Sequence, residues 1–157
     1  MELAAHPPRS TPRTFVAWYD AGIRALTTLT PLLDFAIRYL VAEAFFKSGL
    51  TKIASWDTTL ALFENEYAVP LLPPEIAAYL GTATELAIPV LLVLGLFTRP
   101  AALVLFVFNI IAVISYSDLS EAGLKDHFYW GLLLLVTFFH GPGKLSLDHL
   151  IRSKLAA

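Results

Sequence analysis

A few polar residues stand inside stretches otherwise apolar enough for the hydrocarbon of a membrane. Glu43 and Lys47 lie within residues 35–54, Glu85 within 76–97 and Asn109 within 101–116. Charges at bilayer depth are costly and rare without a task. Glu43 and Lys47 are four apart with the acid first, which puts them on one helix face in the favourable order for an ion pair. Arg38 points away from them and nearer the helix start, where a long side chain snorkels to the interface. His127, from the outer third of a fourth apolar segment, can look down onto the charges. Carboxyl, ammonium and imidazole groups gathered in this way can hold and pass protons.

The midpoints of the first three segments fall near Phe45, Leu86 and Phe108. At about 1.5 Å of rise per residue, Glu43, Lys47, Glu85 and Asn109 are therefore expected within a few ångströms of one depth. Two carboxylates facing one ammonium leave a deficit of positive charge. Either Arg38 reaches in, or one carboxyl keeps a proton, and Glu85 is the better holder because Glu43 has Lys47. Buried charges can also simply fix helix docking. Asn109 taken alone reads as interhelical glue. His127 reads equally as an interfacial histidine. Trp130, with Trp56, Tyr67, Tyr116 and Tyr129, is either part of an ordinary aromatic belt or a frame for a quinone ring.

The elements that must position these groups follow from composition. Of 157 residues, 57 % are hydrophobic and only 15 % charged, and the mean hydropathy is +0.65, so an ordinary soluble domain is excluded. The predicted fold is all-α: a four-helix transmembrane bundle with spans near 35–54, 76–97, 100–116 and 122–140, and a short amphipathic helix in the first outer loop. Residues 1–14 read as a polar cytoplasmic tail without a cleaved leader, and 15–30 as an interfacial segment, so that 1–30 precede the membrane domain of 31–143. Residues 144–157 form an amphipathic cytoplasmic tail. Pro89 removes the hydrogen bond to the Glu85 carbonyl, so a kink is expected there. Thr98-Arg99-Pro100 reads as a tight turn.

Arg9, Arg13, Arg24, Arg99, Lys144, Arg152 and Lys154 fall on one side of this arrangement, which puts both termini in the cytoplasm of a bacterial inner membrane. A net charge of −2 gives no reason to expect nucleic acid. The absence of Cys excludes disulfides, thiol redox chemistry and thiolate-held clusters within the chain. No metal site is expected, because His127 and His140 lie roughly 20 Å apart along one helix. No phosphate loop, Gly-x-Ser-x-Gly or His-Glu-x-x-His stretch occurs.

Four stretches in order carry a family resemblance. They are Phe45-Phe46-Lys47-Ser48-Gly49-Leu50-Thr51-Lys52, Glu85, Gly95-Leu96-Phe97-Thr98-Arg99 and Gly141-Pro142-Gly143-Lys144-Leu145-Ser146-Leu147-Asp148. Over roughly residues 35–150 the chain resembles the DoxX-like family of small four-helix membrane proteins. The resemblance implies an inner-membrane component of a quinone-linked redox system, working with a redox partner protein on the outer side. Lys47, Glu85 and Arg99 match family motif positions. In that setting Glu85, Lys47, Glu43 and His127 would handle protons, and Trp130, Arg38 and Asn109 would contact a bound quinone. Two other readings stay open. One is a non-catalytic anchor or assembly factor; the other is a small-solute or ion transporter, for which four helices would call for a homodimer.

Overall fold

The computed structural model describes residues 13–156, so most of the predicted polar tail at 1–14 lies outside the described residues. The described residues form six helices and no named strand: α1 Arg13–Ala54, α2 Trp56–Asn65, α3 Pro74–Leu94, α4 Thr98–Ser115, α5 Glu121–His140 and α6 Leu147–Leu155. The chain is all-α, as its composition predicts. Three helices, α1, α3 and α4, are long and apolar enough to cross a membrane.

The predicted break between an interfacial segment and the first span is not there. Helix α1 runs unbroken for 42 residues through Pro31. A helical proline removes one backbone hydrogen bond, and the flanking residues keep the helical path. At 1.5 Å per residue α1 is about 63 Å long, roughly twice the hydrocarbon thickness of about 30 Å. Its first half therefore extends past the bundle, with Phe15, Trp18, Leu26 and Leu29 exposed.

Helices α1, α3, α4 and α5 form a ring in which α1 packs on α3 and α4 on α5, closed by α3 against α4 and α1 against α5. The core is Val41 and Phe45 from α1, Leu92 from α3, Ala102 and Leu105 from α4 and Leu134 from α5. The inward positions of α1 (Arg38, Val41, Phe45, Ser48 and Lys52) recur at spacings of three and four, one stripe of a helix. Close approach of α1 to α3 depends on Gly49, where a Cβ would come within 3.1 Å of Glu85 Cβ. The predicted outer-loop helix is α2, which lays Phe63 onto α3 and ties Thr59 Oγ1 to Lys52 O of α1 at 3.0 Å.

The predicted turn at Thr98-Arg99-Pro100 is instead the first turn of α4. Pro100 sits where a missing N–H leaves no intrahelical bond unmade. The reversal is made just before it by Gly95 and Phe97, both left-handed at φ 66° and 49°. At Gly95 a Cβ would collide with the Arg38 guanidinium and with Ser146. Gly95→Ala is therefore expected to lower stability by at least about 1–2 kcal/mol, the ordinary cost of an L-residue in the left-handed region, before the collision is added. Thermal unfolding in detergent, followed by circular dichroism, measures it.

Two of the quoted sequence stretches meet at this reversal. The Asp148 carboxylate accepts hydrogen bonds from Phe97 N, Thr98 N and Thr98 Oγ1, each at 2.9 Å, and Asp148 N donates to Gly95 O at 2.9 Å. A residue of α6 thus caps the N-terminus of α4, where free N–H groups and the helix dipole favour an anion. Burial alone would raise the Asp148 pKa. The bonds from Thr98 and Phe97, with Arg152 nearby, outweigh it and hold the carboxyl below its usual range. A carboxyl depressed on folding adds stability above its unfolded pKa of about 3.9, and this is lost as pH falls through the lower folded value. Asp148→Asn keeps one acceptor oxygen but sets an NH2 group against the donors of the other, and is expected to cost about 1.5–3 kcal/mol at neutral pH, the worth of a hydrogen bond to a charged group. The difference from the parent protein should close below pH 4 in detergent melts across pH.

Candidate functional site

The polar groups of the bundle divide into three places. The first is a cavity of about 460 Å³ at the end of the bundle that carries α2. Phe63 of α2, Val69, Leu71 and Leu72 of the loop before α3, Leu80 of α3 and Phe108 and Ile111 of α4 form apolar walls. Glu85 of α3 lies in this lining and is 5 % exposed. Both its oxygens accept from Lys52 Nζ, Oε1 at 2.9 Å and Oε2 at 2.7 Å, and Ser48 Oγ donates to Oε1 at 3.1 Å. Lys52 Nζ also donates to Ser48 Oγ at 2.9 Å. This is a closed triangle of ammonium, carboxylate and hydroxyl between α1 and α3. Glu85 O, one turn before Pro89, has no N–H four residues ahead to pair with, although α3 continues through the proline.

Near the mouth, Tyr67 and Tyr116 meet edge to face at 5.1 Å between centroids, tied by Ala68 N donating to Ser115 O at 2.9 Å. Burial, then Tyr116 and the carboxylates Glu66 and Glu85, push the Tyr67 phenol up from its ordinary value, so it stays a neutral hydroxyl. Ser115 Oγ is buried in the cavity wall without a hydrogen-bond partner. Across from the triangle, His127 of α5 also lines the cavity. Its Nδ1 lies 2.7 Å from Asn109 Oδ1, and Asn109 Nδ2 donates to the His127 carbonyl at 2.9 Å. Trp130 packs edge-on to the His127 ring at 4.9 Å and against Phe45 at 5.6 Å. Glu85 and His127 therefore line one cavity, with Asn109 and Trp130 packed against the imidazole.

Glu43 and Lys47 are in the second place. They pair at 2.7 Å, as their spacing predicts, but their side chains are 35 % and 71 % exposed on the outside of the bundle. Lys47 does not serve Glu85. Lys52 does, and it removes the charge deficit that made Glu85 a proton-holding carboxyl. The reason is helical phase: at about 100° per residue Lys52 shares the inward stripe with Ser48, and Lys47 lies on the far side.

Arg38 holds the third place, at the opposite end of the bundle from α2. The expectation that it snorkels is corrected, for it is 1 % exposed. It donates to Leu92 O at 3.0 Å, Val93 O at 3.2 Å, Leu145 O, and Asp34 O at 3.4 Å. Leu92 and Val93 end α3, so the guanidinium caps a helix C-terminus from a neighbouring helix. It therefore lies away from the cavity. Arg99 is exposed and donates only a long 3.4 Å bond to Phe139 O. Among the described residues no cluster of three or more His, Asp or Glu could hold a metal ion.

The stretch that contributes Arg38, the Ser48–Lys52–Glu85 triangle and Asn109 lies within residues 33–118, which match the DoxX family profile over more than half of the chain. The chain belongs to the DoxX family. A Haemophilus influenzae protein named only as uncharacterized is 33 % identical over 127 residues, 74 % of this chain and 81 % of that one. An Escherichia coli K12 protein named Inner membrane protein YphA is 33 % identical over 132 residues, 75 % of this chain and 89 % of its own length. No solved structure matches this DoxX protein. The resemblance drawn from four short stretches is thus shown at the level of the family.

Proposed function

We propose that this DoxX protein is a four-span inner-membrane protein whose cavity binds the ring of a membrane quinone on behalf of a partner oxidoreductase. The observation that carries the proposal is the cavity itself: apolar walls enclosing one hydrogen-bonded ammonium–carboxylate pair and one histidine. Few convergent polar groups in an apolar chamber of this size suit a ring with polar substituents. The partnerless Ser115 Oγ would donate to a ring oxygen, and Phe63, Leu80 and Phe108 would enclose the ring's faces. A quinone, when bound, supplies paired electron and proton exchange. This chain's part is to exclude water, orient the ring and offer Glu85 Oε1/Oε2 and His127 as acceptors for the protons the ring gives up. Glu43 and Lys47, on the outer surface, are not assigned to that task.

The fourth span in this reading is α5, which at 20 residues is about 30 Å long. Its charges Glu121, Lys125 and Asp126 all fall in the first two turns, within reach of an interface. The inner-membrane placement is taken from the YphA name and the orientation, with both termini cytoplasmic, from the basic residues. The α2 end then faces outward, and Asp57, Glu64 and Glu66, all exposed on or just after α2, offer an acidic surface to an exported redox partner.

A second reading has one specific observation behind it. The Lys52–Glu85–Ser48 triangle is fully bonded and joins α1 to α3, which is also what a purely structural weld would look like. The test is mass spectrometry of an organic extract of protein purified in mild detergent, followed by tryptophan-quenching titration with decyl-benzoquinone. Bound quinone that Glu85→Gln and His127→Ala both lose is the expected result. Extracts free of quinone, together with no saturable quenching, would remove the proposal and leave the anchor reading ahead.

A further inference from the structure

The Asn109–His127 contact fixes more than a position. The backbone carbonyl of His127 can only accept, so the atom of Asn109 that faces it at 2.9 Å is the amide nitrogen. That orientation puts Asn109 Oδ1 against His127 Nδ1 at 2.7 Å. An amide oxygen also only accepts, and Nδ1 must therefore carry the proton. A neutral imidazole has one such proton, so its Nε2 is left with a lone pair. The pair is well held. Asn109 is 5 % exposed, and Trp130 lies edge-on to the ring with 69° between planes. Gly131, one turn after His127, faces the amide, and a Cβ there would just touch Asn109 Nδ2 at 3.4 Å.

We infer that Asn109 is a positioning residue that locks His127 in its Nδ1–H tautomer, so that Nε2 accepts a hydrogen bond from a hydroxyl of the cavity's ligand. A quinone carbonyl would set one lone pair against another. The hydroxyl of the reduced, quinol form, or of a phenol, donates to Nε2 instead. The cavity is thus matched to the hydroxyl-bearing ring. This ligand preference rests on the quinone reading above; the tautomer does not.

The test separates the two. Protein labelled with ¹⁵N-histidine is examined by NMR in detergent at neutral pH, the His127 signal being the one lost in His127→Gln. The expected signal has a protonated Nδ1 and an unprotonated Nε2, and Asn109→Leu should redistribute it towards the other tautomer. Decyl-hydroquinone, titrated anaerobically, should bind about tenfold more tightly than decyl-benzoquinone, as one net hydrogen bond allows. That ratio should fall towards one in Asn109→Leu and in His127→Gln. An Nε2–H tautomer in the unmutated protein overturns the positioning role whatever binds. An Nδ1–H tautomer in a protein that binds neither ring overturns the ligand preference together with the quinone reading. The tautomer is read in unmutated protein, and if His127→Gln fails to fold, replacing His6, His140 and His149 in turn assigns the His127 signal by elimination.

Discussion

Replacing Arg38 by methionine should produce the largest loss of stability of any single substitution at the α6 end of the bundle. The side chain is buried, and its guanidinium reaches the last carbonyls of α3 and the carbonyl of Leu145 ahead of α6. Leu92 O would keep its 3.2 Å bond from Gly95 N, but Val93 O and Leu145 O would lose the guanidinium, and an acceptor stripped of its partner in a buried place carries its full desolvation penalty. Hydrogen bonds to charged groups are worth about 1.5–3 kcal/mol each and are not additive, so a loss on the order of 3–5 kcal/mol is expected. Arg38→Lys should recover only part. An ammonium is a point donor on a shorter stem and cannot spread over carbonyls from two segments. Detergent melts followed by near-ultraviolet circular dichroism decide the matter. A methionine variant that melts with the parent protein would mean that water or lipid takes over the carbonyls and that Arg38 is no cap. Ring binding per folded molecule should be unchanged in Arg38→Lys, because the cavity lies at the other end.

That Arg38 is a cap and not a snorkelling charge could not be read from its own neighbourhood in the chain. Three of its four acceptors lie 54, 55 and 107 residues away, and all four are backbone atoms whose side chains say nothing about them. The helices themselves were legible, since long apolar runs bounded by proline and polar turns leave few other choices. The exception was the beginning of α1. Residues 15–30, with Trp18 and Arg24, read as an interface, yet the hydrogen bond missing at Pro31 does not end a helix whose other residues favour it. At the site, Glu85 and His127 were legible as polar residues in apolar segments. Lys52 was not, because it stands at the end of its segment and reads as an outer-loop charge. The signal was nevertheless present. Arg38, Val41, Phe45, Ser48 and Lys52 follow the three–four spacing of a buried stripe, whereas Glu43 and Lys47 share the opposite face. The favourable four-residue spacing of Glu43 and Lys47 concealed this, because i,i+4 pairing describes a helix surface and does not say which surface faces inward.

The distinction between Lys52 and Lys47 makes the second large effect sharply testable. Glu85→Gln leaves the Lys52 ammonium between α1 and α3 beside a neutral amide, and breaking one side of a buried pair commonly costs about 3–5 kcal/mol. Lys52→Met should cost less, because Glu85 can take up a proton and keep its bond from Ser48. Combining the two removes both charges, and a buried ion pair replaced by neutral groups is often close to neutral in stability. The double variant is therefore expected to be more stable than Glu85→Gln alone, with a coupling of roughly 2–3 kcal/mol between the positions. Lys47→Met, on the outer face, should neither reproduce nor rescue any of this. Additive losses in the double variant would show that the 2.7 Å contact is no energetic pair. The same set of proteins separates weld from site. If the triangle only fastens α1 to α3, the double variant regains whatever the protein does along with its stability. If the cavity works as proposed, the double variant folds but does not bind the ring, because the charged pair that makes one end of the apolar cavity polar, and the carboxylate that would accept the ring's proton, are gone.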